Sequence, residues 1–169
     1  MGSNMGVIGE ILSGKGLDPR FRVLNVESFE KVFKEGMKVL NNREFGILMV
    51  KIDVVGDGSL EEVILRNAVR NLKSSVRLPH DMIAWLEEGY FLVFLSRVSF
   101  HQLRNIAARL IVPLSISVGI GDKTAKSMVS IACLHGSEIT HTDLRVIIRT
   151  LVEKLTRGNQ DKGFGIHCD

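Results

Sequence analysis

The chain has 169 residues, 45% of them hydrophobic and 24% charged, a composition that suits one ordinary globular domain with its own core rather than a disordered or membrane-spanning chain. Its 22 Lys and Arg stand against 19 Asp and Glu, a net charge of +3 with no long basic run and a single Trp and Tyr, which excludes a nucleic-acid binder built on a basic stripe or an aromatic ladder. No apolar run reaches the ~18 residues of a membrane helix, so no membrane insertion is expected. Cys133 and Cys168 form no CxxC and no disulfide framework, which points to a reducing cytoplasm and a buried, inert Cys133.

In chain order, residues 1–17 read as a flexible leader, with Met1-Gly2-Ser3-Asn4 partly a vector-derived remnant, and residues 18–167 as the domain. Residues 27–40 place Phe29, Val32, Phe33, Met37 and Leu40 on one helical face, ended by Asn41-Asn42. Residues 45–53 (FGILMVKID) are a near-continuous apolar run short enough for a buried central strand. Residues 53–58 carry two glycines and read as a loop, after which Ser59 and Glu62 have the spacing of a capping box that opens a helix.

Residues 82–86 and 90–95 form two strands around Glu87-Glu88-Gly89. Ser99 and Gln102 mark a second capping box, with Phe100, Leu103, Ile106, Ala107 and Leu110 facing inward. Residues 114–120 and 128–134 read as another strand pair joined near Gly121-Asp122-Lys123. Residues 143–156 are the clearest helix, and residues 163–167 a last short strand. The fold class is therefore α/β (α+β), one mainly antiparallel sheet flanked by helices.

This order resembles the GGDEF (diguanylate cyclase) family, whose fold is a palm-like, nucleotidyl-cyclase sheet. The family opens with Asp-Pro-Leu-Thr-Gly-Leu-Pro-Asn-Arg-x-x-Phe; here Asp18-Pro19, Asn25 and Phe29 keep the spacing without the Thr, Gly and Arg. The central Asp-x-Asp reads Lys51-Ile52-Asp53, and Gly56-Asp57-Gly58-Ser59-Leu60 fits the Gly-Asp-x-x-Leu that follows, over a loop about ten residues shorter. The signature run Asp-x-x-x-Arg-x-Gly-Gly-Asp-Glu-Phe corresponds to residues 81–91, of which Asp81 and Phe91 match. Two segments, residues 117–120 and 130–133, compete for the family's Ser-Ile-Gly-Val strand, and spacing favours the second. Lys154, Arg157, Gly158 and Asn159 echo the closing Ala-Lys-x-x-Gly-Arg-Asn.

The resemblance implies a domain that condenses two GTP molecules into cyclic di-GMP with divalent metals on carboxylate ligands. Lys51, Gly89 and Tyr90 stand at those ligand positions. Two unit charges at ~4 Å interact by about 4 kcal/mol at an effective dielectric near 20, and a divalent ion against Lys51 by roughly twice that. The expectation is a catalytically inactive, degenerate bacterial and cytoplasmic signalling domain with no catalytic residue, metal or cofactor.

Such a module binds a nucleotide, cyclic di-GMP or GTP, or it contacts a signalling protein or a second copy of itself as a dimer. Nucleotide-binding candidates are Lys51, Asp57, Lys154 and Arg157; each also has a plain structural role, Lys51 pairing with Asp53, Asp57 shaping a turn, and the last two facing a helix C-terminus. Arg77 and Asp81 are candidate remnants of the family's Arg-x-x-Asp effector site, although Arg77 stands one residue early and reads more simply as solvated. The alternative is a residual Mg2+-dependent nucleotide cyclase or hydrolase using Glu87, Glu88 and Asp53. Because neighbouring strand residues face opposite sides, at most one of Glu87 and Glu88 can point into such a site.

Overall fold

A computed structural model describes residues 17–39, 43–78, 80–140 and 143–169, with the side chains of residues 38 and 39 excepted. Of the leader at residues 1–17, residues 1–16 lie outside the described residues, as do Leu40 and Asn41-Asn42, while Leu17 bridges to Leu24. The elements are β1 (Leu24–Asn25), α1 (Val26–Val39), β2 (Phe45–Gly56), α2 (Glu61–Ser75), β3 (Met82–Glu87), β4 (Tyr90–Ser96), α3 (Phe100–Leu114), β5 (Ser117–Ile120), β6 (Lys123–His135), α4 (Leu144–Lys162) and β7 (Gly165–His167).

The strands form one sheet in the order β1-β3-β4-β2-β6-β5, with β7 beside β6. β2 is central and antiparallel to both β4 and β6. The short β1–β3 and β6–β7 pairs are parallel. Alternation along β2 divides the core. Leu48, Val50 and Ile52 face a layer built from Leu65, Ala68 and Leu72 of α2 and Leu103, Ala107 and Leu110 of α3. Ile47 and Met49 face Phe29 and Phe33 of α1 and Leu144, Ile147, Leu151 and Leu155 of α4. Helices thus cover both faces, and odd-numbered residues of β2, Lys51 among them, look toward α1 and α4.

Local signals explain most helix starts. Ser99 caps α3 by accepting from Gln102 N at 3.1 Å while Gln102 Oε1 accepts from Ser99 N at 2.9 Å, the expected reciprocal box. The box expected at Ser59 and Glu62 is not formed. Asp57 instead caps a 3-10 turn over Gly58–Leu60, and α2 starts after it. Glu62 is drawn away by two guanidinium groups, from Arg20 at 2.6 Å and Arg66 at 2.8 Å. Phe100 is not inward: it is 40% exposed, its ring set edge-on to His135 with the centroids 6.1 Å apart rather than packed in the core.

Cys133 and Cys168 are joined as a disulfide, their Cα atoms 4.5 Å apart. This corrects the reading of Cys133 as an inert thiol and removes cysteine usage as an argument for a reducing compartment. The bond ties β6 to the chain end, so the ordered domain runs past residue 167. Protein that has never met a reductant, unfolded in guanidinium, is expected to titrate no free thiol; two thiols per chain in that assay would show the pair to be open.

Candidate functional site

The site is a polar row across the α1/α4 face of the sheet. Antiparallel pairing puts Tyr90 of β4 and Ser130 of β6 directly opposite Lys51 of β2, one on each side. Opposed residues share a face. The Lys51 ammonium lies 3.9 Å from the centroid of the Tyr90 ring, within cation–π range. It is also 3.6 Å from Asp53 Oδ1, the pairing anticipated from their alternation. The Lys51 side chain is 18% exposed, so the cation is largely enclosed by these two partners.

The row continues beyond Ser130. Ser130 Oγ donates to Asn159 Oδ1 at 2.9 Å, and that oxygen also accepts from His167 Nε2 at 2.9 Å. His167 Nε2 meets the Gly163 carbonyl as well, at 3.0 Å, which makes this nitrogen the protonated one. Gly158 leaves the room: a Cβ there would fall 2.1 Å from His167 Cγ. This Ser–Asn–His triplet was not legible in the sequence: residues 163–167 read as a short strand, and nothing local reports which helix that strand's last residue meets.

The signature hairpin is shaped by backbone contact. Gly89 O accepts from Ile52 N at 2.9 Å, and a Cβ on Gly89 would sit 2.1 Å from Ile52 O. Glu87 and Glu88 are exposed beside it. Glu88 is left-handed at φ 45, and its carbonyl accepts from Trp85 Nε1 at 2.9 Å. Neither carboxylate joins Asp53, which is held by Lys51. Among the described residues, no group of three His, Cys, Asp or Glu is placed to hold a metal ion. The family's divalent cation therefore does not fit this row, where an ammonium and a phenol ring stand in place of hard oxygen ligands.

The other sequence candidates are dispersed. Asp57 Oδ1 accepts from Ser59 Oγ at 2.6 Å and from Ser59 N at 2.9 Å. These bonds, the hydroxyl's first, hold its carboxyl below the usual carboxylate range. Lys154 donates to two main-chain carbonyls, Cys133 O at 2.8 Å and Cys168 O at 3.3 Å. It lines a cavity of about 190 Å³ with Arg157, Lys162, Asp161 and Asp169. Lys154 and Arg157 are not last-turn residues, because α4 continues to Lys162.

Arg77 and Asp81 do meet, which corrects the reading of Arg77 as merely solvated. Asp81 is 1% exposed. Its Oδ2 accepts from Arg77 N at 2.8 Å and Arg77 Nε at 3.1 Å, and its Oδ1 from Ser96 N at 2.9 Å and Arg77 Nη2 at 3.1 Å. Arg77 Nη2 also donates to the Ser96 carbonyl. The pair pins the start of β3 to the end of β4.

A mainly antiparallel sheet with a central strand, a signature-position hairpin and helices on both faces defines a cyclase-like α/β class. No protein-family profile matches the sequence, and no curated protein matches it. Solved structures do. The coiled coil and GGDEF domain of DgcB from Caulobacter crescentus, in complex with c-di-GMP, matches with a TM-score of 0.70 at 9% identity, covering 98% of this chain and 92% of that one. A sensory box/GGDEF family protein from Caulobacter crescentus CB15 matches at 0.66 and 17% identity, covering 86% and 98%. Diguanylate cyclase SiaD from Pseudomonas aeruginosa, in complex with its activator SiaC, matches at 0.67 and 13% identity, with 98% of this chain covered and 66% of SiaD. The chain thus spans about two thirds of SiaD's length. The fold is that of GGDEF domains, as the sequence order implied.

Proposed function

We propose that this chain is a catalytically silent GGDEF-like signalling module that acts by binding rather than by turnover. One observation carries the reading: the Lys51 ammonium, 3.9 Å from the Tyr90 ring and 3.6 Å from Asp53, stands where the family places a metal-ligating carboxylate. A cation enclosed there opposes a second, divalent one.

Contact with a protein partner is the favoured mode of binding. Most of the side chains expected to receive a nucleotide are turned onto the chain's own atoms: Lys51 onto Tyr90 and Asp53, Arg77 onto Asp81 and Ser96, Lys154 onto two carbonyls, Asp57 onto Ser59, while Arg157 lines the cavity beside Lys154. SiaD, which shares the fold, is held in complex with a protein activator. Cyclic di-GMP bound at Arg77 and Asp81 would first have to draw the half-exposed Arg77 away from a buried carboxylate. A cytoplasmic, bacterial setting belongs to this reading by resemblance to the family alone and does not rest on the cysteines.

The test is GTP and ATP consumption at high protein concentration with Mg2+ or Mn2+, beside thermal unfolding with cyclic di-GMP. No product and no shift are expected. Metal-dependent turnover that disappears in Glu88→Ala would replace this reading with an enzyme. A ligand at 100 times its dissociation constant adds ~2.7 kcal/mol, so a clear rise in Tm with cyclic di-GMP would move the binding mode from protein to nucleotide.

A further inference from the structure

Away from the polar row, α2 faces the turn that precedes β1. Arg66, Arg70 and Lys73 recur at intervals of four and three, so they form one stripe along the helix. The opposing turn is fixed by Asp18: its Oδ2 accepts from Phe21 N at 2.5 Å, its carbonyl from Arg22 N at 2.8 Å, and its own N–H donates to Val23 O at 2.7 Å. Arg20, Phe21, Arg22, Arg66, Val69, Arg70 and Lys73 line a single cleft of about 230 Å³. Phe21 and Val69 are its buried apolar floor, and every charged residue lining it is cationic.

Some of these cations already have partners. Glu62 binds Arg20 and Arg66, and Lys73 Nζ donates to Phe21 O at 2.7 Å. Among the described residues, the guanidinium groups of Arg22 and Arg70 have no hydrogen-bond or ion-pair acceptor. Arg22 is held at φ 56, a region sparsely populated by residues that carry a side chain. Burial first, then the nearby charge of Arg22, pushes the Lys73 ammonium below its ordinary pKa, with Asp18 opposing. Cations are crowded here beyond what the chain neutralises.

We propose that this cleft binds a compact polyphosphate anion, either free inorganic triphosphate or the phosphate tail of a nucleotide. Guanidinium forks match phosphate oxygens in pairs. From Arg66 to Lys73 the cations extend over roughly 10 Å of helix axis, more than one tetrahedral anion can touch. The volume falls below the ~300–1,000 Å³ of pockets that enclose drug-sized ligands, so the occupant is small or enters only by its charged end. Phe21, the ring in the floor, is only 5% exposed and has the Arg20 guanidinium 4.7 Å from its centroid, so it is not open for a base to stack upon, which disfavours single-stranded nucleic acid.

The test is calorimetric titration of the full chain, at fixed ionic strength, with sodium tripolyphosphate, GTP and a short RNA. The probe proteins are wild type, the double variant Arg22→Gln/Arg70→Gln, and Lys51→Met. Tripolyphosphate is expected to bind saturably, at least tenfold more weakly in the double variant and unchanged in Lys51→Met. GTP binding with the same tenfold loss identifies a nucleotide tail; tripolyphosphate binding alone identifies a free polyanion. Absence of saturable tripolyphosphate binding, equal binding by the double variant, or tighter binding of RNA would overturn the assignment. Should Arg22→Gln disturb the turn, seen as lost helicity, Arg70→Gln alone serves, since it changes only an exposed helix position. GTP turnover by the wild type would remove the catalytically silent reading and leave this result standing.

Discussion

Gly89→Ala should lower the free energy of unfolding by about 3 kcal/mol, at the upper end of what an added methyl group costs in a packed site. The new Cβ would meet Ile52 O at 2.1 Å, and that oxygen belongs to the central strand. A flexible side chain could turn aside; a carbonyl within the sheet cannot move without disturbing the bond from Ile52 N to Gly89 O. For a domain of this size, each kcal/mol shifts Tm by roughly 2–4 °C, so a drop of about 6–12 °C is expected. A fall below about 2 °C would show that the hairpin swings away from β2 freely. Glycine at this position is therefore demanded by close approach to the neighbouring strand, whatever chemistry the hairpin performs.

Asp81→Ala is expected to cost a similar amount, about 3 kcal/mol, by a different route. Two main-chain donors, Arg77 N and Ser96 N, lose their acceptor. Buried donors left unsatisfied cost about 1–3 kcal/mol each. Arg77 itself, 54% exposed on its side chain, recovers water and adds little. Asp81→Asn keeps one carbonyl oxygen and should cost less, giving an ordered series of denaturation midpoints with the wild type highest and alanine lowest. Equal midpoints for Asn and wild type would mean that neither the charge nor the second oxygen matters. If this pair is structural, Arg77→Ala should also leave binding of any partner protein unchanged.

The central strand was legible because nine apolar-rich residues from Phe45 onward suit a strand buried on both faces. Its extension to Gly56 was not, since Val54-Val55-Gly56 reads locally as a loop and becomes strand only by pairing with residues 125–127 of β6. The same applies to the last six residues of α4. Gly158 and Asn159 signal a helix end, yet both face inward to His167, and that packing outweighs propensity. In the site, the Lys51–Asp53 pair followed from period two alone. Tyr90 beside Lys51 needed the register of β4 against β2, a long-range pairing that no period within either strand reports. The meeting of Arg22 with Arg70 depends on a turn set by one carboxylate, and no periodicity reports such a turn.

The rims of the sheet have a consequence for assembly. One rim is the two-residue β1; the far side of β6 is shared between β5, over residues 123–126, and β7, over residues 130–132. The gap between them is filled by Ser127, whose N–H donates to Ile116 O at 2.8 Å and whose hydroxyl donates to Leu114 O at 2.7 Å. Long unpaired rims are the templates on which strands of other molecules add. Among the described residues neither side offers a continuous ladder, so growth of the sheet from one molecule to the next is disfavoured, and contacts between molecules fall to side chains on the helices and hairpins.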